Sequence, residues 1–180
     1  MAERRVWFIR HGESEANVRH VFAGQRENSH LTELGKLQAR EAAKELVARG
    51  IKVKKIISSP LIRAKETAEI LKEEAGLAHV EISIDERIAE FDMGSLTGTL
   101  FHKISSQELV SALGAEDAQS FMDRVHNLIN ELRNAEGEVL LVSHAGVGRI
   151  IEAKKRGMRP ETFYDLDPYP NAKVIELLLE

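Results

Sequence analysis

Three short runs rich in apolar residues are each followed at once by polar residues. Residues 6–9 lead into Arg10-His11-Gly12, residues 55–58 into Ser59-Pro60, and residues 139–142 into Ser143-His144. Apolar runs of this length, bounded by turn-forming residues, are typical of buried strands. The pattern therefore predicts three strands whose carboxyl ends deliver polar side chains to loops.

Between these strands, apolar residues recur at helical spacing. This spacing predicts helices over residues 32–49 (closed by Gly50), 118–132 and 145–156. A further helix is predicted to run to Leu71, with Ser59 as N-cap and Pro60 in its first turn. Residues 80–84 and 172–179 are predicted to be additional strands.

The alternation of strands and helices predicts an α/β fold. We expect a single three-layer α/β/α domain over residues 1–180, with a mostly parallel central sheet. Residues 96–116 show no clear period, and we expect them to form a short insertion over the functional site.

Composition narrows the classes of function. The chain has no cysteine, which excludes disulfides, a thiolate nucleophile and a cysteine metal site, and fits a reducing compartment. The apolar run near the N-terminus is too short for a signal peptide or a membrane span, so we expect a soluble cytoplasmic protein with no membrane partner. A net charge of −4 and 5% aromatic residues argue against nucleic acid as a partner.

The polar residues at the strand ends favour phosphoryl transfer. Open α/β sheets bind ligands at the carboxyl ends of their strands, where Arg10, His11, Arg63 and His144 would converge. Arginine matches phosphate oxygens with its planar fork, and a neutral histidine is a nucleophile. Proton transfer to the leaving oxygen needs an acid, for which we take Glu90 ahead of Asp85 and Asp92.

Five short motifs follow one another along nearly the whole chain. They are Arg10-His11-Gly12-Glu13, Leu31-Thr32-Glu33-Leu34-Gly35 with Gln38-Ala39, the segment from Ser58-Ser59-Pro60 through Arg63-Ala64 to Thr67-Ala68, Glu90 with Gly94 and Gly98, and Ser143-His144-Ala145-Gly146. In this order and spacing they resemble the histidine phosphatase superfamily, also called phosphoglycerate mutase-like, and in particular its phosphatase branch.

The resemblance implies the fold of that family and a role for each matching residue. His11 would become phosphorylated, Arg10, Arg63 and His144 would bind the phosphoryl oxygens, and Glu90 would protonate the leaving group and then activate water. Further substrate-binding positions implied in this way are Asn17, Gly24 and Ala145. Neither a metal nor another cofactor is implied.

The chain departs from the family pattern near the expected pocket. Ser95-Leu96-Thr97-Gly98 stands where many phosphatases have a Trp-Glu pair, and His30 replaces a usual proline. True mutases of the family have a longer insertion, whose basic residues hold the carboxylate of the glycerate. Residues 96–116 are shorter and offer only His102 and Lys103, which argues against a mutase. We therefore expect a metal-independent phosphatase acting on a small phosphorylated metabolite.

Three alternatives remain open from the sequence. The chain could be a phosphohistidine protein phosphatase with a phosphoprotein partner, a cofactor-dependent phosphoglycerate mutase, or a noncatalytic phosphate-binding module. The sequence does not indicate an oligomeric state. The other histidines lack metal-ligand spacing, so packing or surface roles are expected for His20, His30, His79, His102 and His126.

Overall fold

A computed structural model describes residues 4–179, so Met1, Ala2, Glu3 and Glu180 lie outside the described residues. The strands are β1 (Arg5–Arg10), β2 (Val53–Ser58), β3 (Ile82–Ile84), β4 (Glu138–Ser143) and β5 (Val174–Leu177). The α-helices are α1 (Glu15–Val18), α2 (Glu33–Ala48), α3 (Ile62–Glu74), α4 (Ser106–Val110), α5 (Ala118–Leu132) and α6 (Ala145–Lys155). Short 3₁₀ helices cover Glu86–Ile88, Gly94–Leu96 and Pro160–Asp165.

The five strands form one sheet in the order β3-β2-β4-β1-β5. Strands β1 to β4 run parallel, and β5 pairs antiparallel with β1 at the edge. Leu140 of β4 pairs with Trp7 on one side and with Ile56 on the other. The carboxyl ends of β1, β4 and β2 therefore lie side by side, which is the arrangement that the sequence predicts.

Alternate residues of each strand enter two different cores. Val6 and Phe8 of β1 pack in a cluster that also holds residues of α5 and α6. Trp7 and Ile9 face the opposite side, in a cluster with residues of α2 and α3. Helices thus cover both faces of the sheet, and the predicted three-layer α/β/α architecture is confirmed.

Three of the four predicted helices, α2, α5 and α6, form to within one residue of their predicted ends, and the fourth starts later. Helix α5 covers residues 118–132, and α2 begins after Thr32, whose hydroxyl accepts a hydrogen bond from the Gly35 amide. Helix α3 begins at Ile62, so Ser59 is not its N-cap and Pro60 is not in its first turn. Ser59 remains tied to the sheet edge, because its amide donates to the Val142 carbonyl.

The outer strands are shorter than predicted. Strand β3 starts at Ile82, because the Val80 amide still closes a turn with the Leu77 carbonyl. Strand β5 starts at Val174, since Ala172 has a positive φ of 54° and donates its amide to the Arg10 carbonyl. Both differences arise where a turn takes the backbone hydrogen bonds that a strand would use.

Residues 96–116 contain one short helix, α4, and otherwise follow an irregular path. Leu100 forms an isolated antiparallel bridge with Val21, and the Ser106 hydroxyl donates to Asp165 at 2.6 Å. The segment is thereby attached to the loop after α1 and to the 3₁₀ helix before β5. Within residues 4–179, no helix is long and apolar enough to cross a membrane.

Candidate active site

A cavity of about 180 Å³ opens at the carboxyl edge of the sheet. Seven of the eight residues singled out from the sequence line it, namely Arg10, His11, Asn17, Gly24, Arg63, Glu90 and Ala145. His144, the eighth, lies behind His11. Four separate segments contribute these residues, because the parallel strands end at the same edge and the loop holding Glu90 packs against them.

The His11 ring is fixed by hydrogen bonds at both nitrogens. Its Nδ1 lies 2.6 Å from the carbonyl oxygen of Gly12, which can only accept, so Nδ1 holds the proton. Nε2 therefore carries the lone pair of the ring, and it accepts a hydrogen bond of 3.3 Å from Nε of Arg63. This tautomer makes Nε2 the nucleophilic nitrogen.

Burial keeps both central histidines neutral. Desolvation lowers the pKa of His11 well below 6.5, and the nearby charges of Arg63 and Arg10 lower it further. Desolvation likewise lowers the pKa of His144 well below 6.5, with Arg63 as the next cause. A neutral imidazole is the form that can attack a phosphorus atom.

His144 packs edge-on against His11, with 5.3 Å between the ring centroids. Its Nε2 lies 2.7 Å from the Ser59 hydroxyl. Its Nδ1 is buried and has no hydrogen-bond partner among residues 4–179. The residue precedes α6 directly, so the end of β4 and the start of this helix set its position.

Arg63, in the first turn of α3, is 2% exposed and joins three parts of the site. Besides the bond to His11, its terminal nitrogens donate to the carbonyls of Glu27 at 3.1 Å and Gly24 at 2.8 Å. Burial is the main cause that lowers its pKa to about 10, which still leaves the guanidinium charged at neutral pH. The positive φ of Gly24 turns the loop so that its carbonyl reaches Arg63.

Arg10 ends β1 and is held by one hydrogen bond, from Nη1 to the Tyr169 carbonyl at 3.0 Å. Its Nε is buried without a partner among the described residues. Desolvation is the largest of the causes that lower its pKa. A buried, charged donor with no acceptor is suited to an anionic ligand in the cavity.

Glu90 is 6% exposed, and both of its carboxylate oxygens accept backbone hydrogen bonds. The Phe91 amide donates to Oε1 at 2.8 Å, and the Gly146 amide donates to Oε2 at 3.1 Å. Arg124 of α5 holds the same loop by donating to the Glu90 carbonyl at 3.1 Å. The sequence offered no signal for this role of Arg124, which lies on an ordinary amphipathic helix.

The two other carboxylates considered from the sequence do not line the cavity. Asp85 is paired with Arg87 at 2.7 Å, and Asp92 is paired with Arg26 at 2.9 Å. Glu90 is therefore the acid that the structure brings to the cavity with His11.

The remaining predicted positions lie at the cavity wall. Asn17 accepts the Ser14 amide through Oδ1, in a capping box at the start of α1. Ala145 is the first residue of α6, so the amino end of this helix meets the cavity. The positive end of a helix dipole favours an anion at that point.

Several cavity residues were not found from the sequence. Arg149 lies four positions after Ala145 in α6, and this helical spacing could have indicated that both face the cavity. The aromatic wall comes from distant loops without a shared motif. Its members are Phe22, Phe91, Phe101, Phe163 and Tyr164.

No group of three or more His, Asp or Glu side chains within residues 4–179 is arranged to hold a metal ion. The expectations about metals and cofactors stay predictions.

The histidine phosphatase superfamily (branch 1) model matches residues 6–180. A relative from Hydrogenobacter thermophilus, provisionally named phosphoserine phosphatase 2, is 29% identical over 98% of this chain and 90% of its own length. The provisionally named phosphoglycerate mutase GpmB of Salmonella paratyphi A is 36% identical over 78% of this chain and 69% of its own. A phosphoglycerate mutase of Methylobacterium is 40% identical, but the alignment spans only 46% of that protein.

A solved structure agrees with these relatives. The mycobacterial glucosyl-3-phosphoglycerate phosphatase, in its complex with VO3, superposes with a TM-score of 0.80 at 28% identity, over 98% of this chain and 93% of that one. With the family model covering the chain almost from end to end, the protein belongs to branch 1 of the histidine phosphatase superfamily.

Proposed function

We propose that this chain is a metal-independent phosphatase that hydrolyses phosphomonoesters through a phosphohistidine on His11. The observation that supports this most directly is the His11 ring, which is neutral, fixed at Nδ1 by Gly12 and lines a cavity with two arginines. Phosphatases among the relatives and solved structures support the same class of reaction.

In the first step, the Nε2 lone pair of His11 attacks phosphorus and the bond from phosphorus to the ester oxygen breaks. Arg10 and Arg63 bind the equatorial oxygens, whose negative charge they stabilise. Glu90 gives its proton to the departing oxygen, which leaves as an alcohol. The products of this step are N-phosphohistidine and a Glu90 carboxylate.

In the second step, water attacks the phosphoryl group on His11. The Glu90 carboxylate accepts the proton of that water, and its two backbone hydrogen bonds hold it in place for this. The nitrogen to phosphorus bond breaks, inorganic phosphate leaves and the neutral imidazole is restored. His144 does not line the cavity, and its ring packs edge-on against His11, so its part in the reaction would be to hold the ring of the nucleophile in place.

The size of the cavity favours a small substrate. A volume of about 180 Å³ holds a phosphoryl group and a short carbon skeleton. The relatives named for phosphoserine and glucosyl-3-phosphoglycerate fit a metabolite better than a protein surface.

Phosphoglycerate mutase activity is the second candidate, because GpmB is 36% identical over most of this chain. A mutase must pass the phosphoryl group from His11 to a bound acid faster than to water. Release of inorganic phosphate in amounts equal to the ester consumed would contradict the mutase alternative.

The proposal is tested by the hydrolysis of an activated aryl phosphate with excess chelator. The wild type should turn over, and His11→Ala should lose at least about a thousandfold in kcat, since no other group can form the intermediate. His79→Ala is the matched control, because His79 is exposed and does not line the cavity, and it should keep wild-type activity. Turnover in His11→Ala at the wild-type rate would refute the nucleophile assignment.

Trapping the intermediate gives an independent test. Acid-labile, base-stable phosphate on the wild type, absent from His11→Ala, is the expected result. Acid-stable phosphate on the protein would contradict a phosphohistidine.

A further inference from the structure

Two polar residues from the sequence motifs have no part in the proposed reaction, yet both contact the loop that contains the nucleophile. They are Gln38 in α2 and Thr67 in α3, and neither lines the cavity. Oγ1 of Thr67 accepts a hydrogen bond of 3.1 Å from the Gly12 amide. Oε1 of Gln38 accepts one of 2.8 Å from the Glu13 amide. The two side chains therefore hold neighbouring peptide groups of this loop.

The peptide group between Gly12 and Glu13 is held on both sides. Its carbonyl oxygen lies 2.6 Å from Nδ1 of His11, from which it accepts a hydrogen bond. Its amide hydrogen points the opposite way, as a trans peptide requires, and donates to Gln38. A carbonyl becomes a stronger acceptor when the amide hydrogen of the same peptide group is bonded, because linked hydrogen bonds polarise one another. Gln38 therefore acts on the His11 ring through one peptide group.

The peptide group between His11 and Gly12 is held in the same way. Its amide hydrogen donates to Thr67, and its carbonyl accepts from Nδ2 of Asn171 at 2.9 Å. The fully buried Thr67 hydroxyl donates in turn to the Arg63 carbonyl at 2.8 Å. One hydroxyl thus links the backbone beside the nucleophile to the backbone of the arginine that donates to Nε2 of His11.

Close packing of α2 against this loop restricts the same peptide groups. A Cβ on Gly12 would overlap the Gly35 carbonyl, and a Cβ on Gly35 would overlap the Glu13 carbonyl. The two backbones are therefore in contact with no side chain between them. Gln38 lies three residues after Gly35, on the same side of the helix, so its side chain reaches the Glu13 amide.

The orientation of these peptide groups decides which ring nitrogen of His11 can attack. A neutral imidazole carries one proton, and the hydrogen bond made by one nitrogen sets the state of the other. If the Gly12 carbonyl turned away from Nδ1, it would no longer favour the proton there. A ring protonated at Nε2 has no lone pair on that nitrogen with which to attack phosphorus.

We propose that Gln38 and Thr67 are positioning residues that orient the peptide groups on either side of Gly12 and thereby keep the proton of His11 on Nδ1. This inference rests on the proposed function, since it concerns the nucleophile of that reaction. Neither side chain touches the substrate. Their loss lowers the fraction of His11 rings in the reactive tautomer and leaves the affinity for the ester nearly unchanged.

The first test uses substitutions that preserve side-chain shape. Thr67→Val replaces the hydroxyl with a methyl group, and Gln38→Met removes the amide oxygen from a side chain of similar length. Each should slow phosphoenzyme formation from an aryl phosphate, measured by rapid quench, by about tenfold. The ester concentration that gives half the maximal rate should change by less than about threefold.

Two further variants separate this role from a general loss of structure. Thr67→Ser keeps the hydroxyl and should retain most of the wild-type rate of phosphoenzyme formation. Gln119→Met is the matched control for Gln38→Met, since Gln119 is exposed on α5, donates to Asp123 and does not line the cavity. It should behave as wild type.

Nitrogen NMR of the resting enzyme, labelled with ¹⁵N-histidine, measures the tautomer directly. With His11→Asn used to assign the signals, the wild type should show a protonated Nδ1 and an unprotonated Nε2. In Thr67→Val and Gln38→Met the two chemical shifts should move towards each other as both tautomers become populated. The signals of the exposed His79 should not move.

Wild-type rates and wild-type His11 shifts in both Thr67→Val and Gln38→Met would overturn the proposal. A slower rate with an unchanged tautomer would also overturn it, because the residues would then act by another means. Either result would leave the proposed phosphatase function standing, since the ester would still be hydrolysed through His11. If Thr67→Val does not fold, Gln38→Met, at a half-buried position, decides the question. If the wild type hydrolysed no ester, the phosphatase function would fail, and the shifts in the resting variants would still decide this proposal.

Discussion

The position of the Glu90 carboxylate depends on the absence of a side chain at Gly146. A Cβ on Gly146 would overlap Oε1 of Glu90, while the Gly146 amide donates to Oε2. A glycine near the start of α6 thus permits the carboxylate to approach the helix backbone. The glycine has an ordinary helical φ, so space and not backbone freedom explains it.

We predict that Gly146→Ala displaces Glu90 and lowers kcat for esters with poor leaving groups by about tenfold or more, since those esters need the general acid. Esters with good leaving groups should be affected less in the step that forms the phosphoenzyme. The substitution adds helix propensity, so the melting temperature should not fall enough to explain the loss. Steady-state kinetics with a series of aryl phosphates measures the effect.

The control is Glu90→Gln in combination with Gly146→Ala. Because both changes act on the same carboxylate, the second should add little to the first. Full additivity of the two free-energy losses would show that Gly146 acts elsewhere.

Residues whose types define the chemistry could be predicted from sequence, whereas their neighbours could not. Arg10, His11 and Arg63 belong to motifs at strand ends, and parallel topology brings such ends together. Arg124 and Tyr164 reach the site from a long helix and from a 3₁₀ helix far along the chain. Their contribution depends on packing distances that no local pattern encodes.

At the scale of elements, the segment before β5 holds the loop that contains the nucleophile. Asn171 donates from Nδ2 to the His11 carbonyl at 2.9 Å, and the Tyr169 carbonyl accepts from Arg10. The Ala172 amide donates to the Arg10 carbonyl at 2.8 Å. These three contacts thereby attach residues 10 and 11 to the segment that leads into the edge strand.

Asn171→Ala should lower kcat by about tenfold with a smaller change in KM, because one hydrogen bond that orients the His11 backbone is lost. Lys173→Ala, at an exposed position in the same segment, is the control and should behave as wild type. The measurement is hydrolysis of an aryl phosphate over a range of concentrations. A loss of melting temperature with unchanged kcat would assign Asn171 a purely structural role.

The first residue of a helix is predicted less accurately than the helix itself, as α3 shows. The N-cap signal at Ser59-Pro60 is a common one, yet α3 begins at Ile62. Ser59 is already used by other partners, since its hydroxyl contacts the Leu61 amide and His144. The prediction for α5 is confirmed over its full length. Its apolar face is continuous, and the side chain of its N-cap, Asp117, accepts from the Ser120 amide.

At the scale of the whole molecule, the buried histidines link stability to pH. The pKa values of His11 and His144 lie well below 6.5 in the folded chain, mainly through desolvation. Below pH 6.5 the unfolded chain therefore binds more protons than the folded one. The stabilisation is fully present above that pH and decreases as the pH falls.

Between about pH 7.5 and pH 5.5, each of these histidines should reduce the free energy of unfolding by on the order of 1 kcal/mol. His11→Asn removes one of them and should lose less stability than the wild type over that range. Urea unfolding at both pH values gives the comparison, with His79→Asn as a control that should retain the wild-type dependence. An identical pH dependence in wild type and His11→Asn would show that His11 is not kept neutral by the fold.

The strand order also determines when activity can arise during folding. Strands β1 and β2 do not pair with each other, because β4 lies between them. During synthesis the ribosome releases residues 10, 11 and 63 long before β4, so the nucleophile loop and the arginine on α3 have no shared sheet until residues 138–143 arrive. In a refolding experiment the whole chain is present, yet recovery of catalysis still requires β4 to pair with both β1 and β2 across a long stretch of sequence, so it will lag behind the formation of helices.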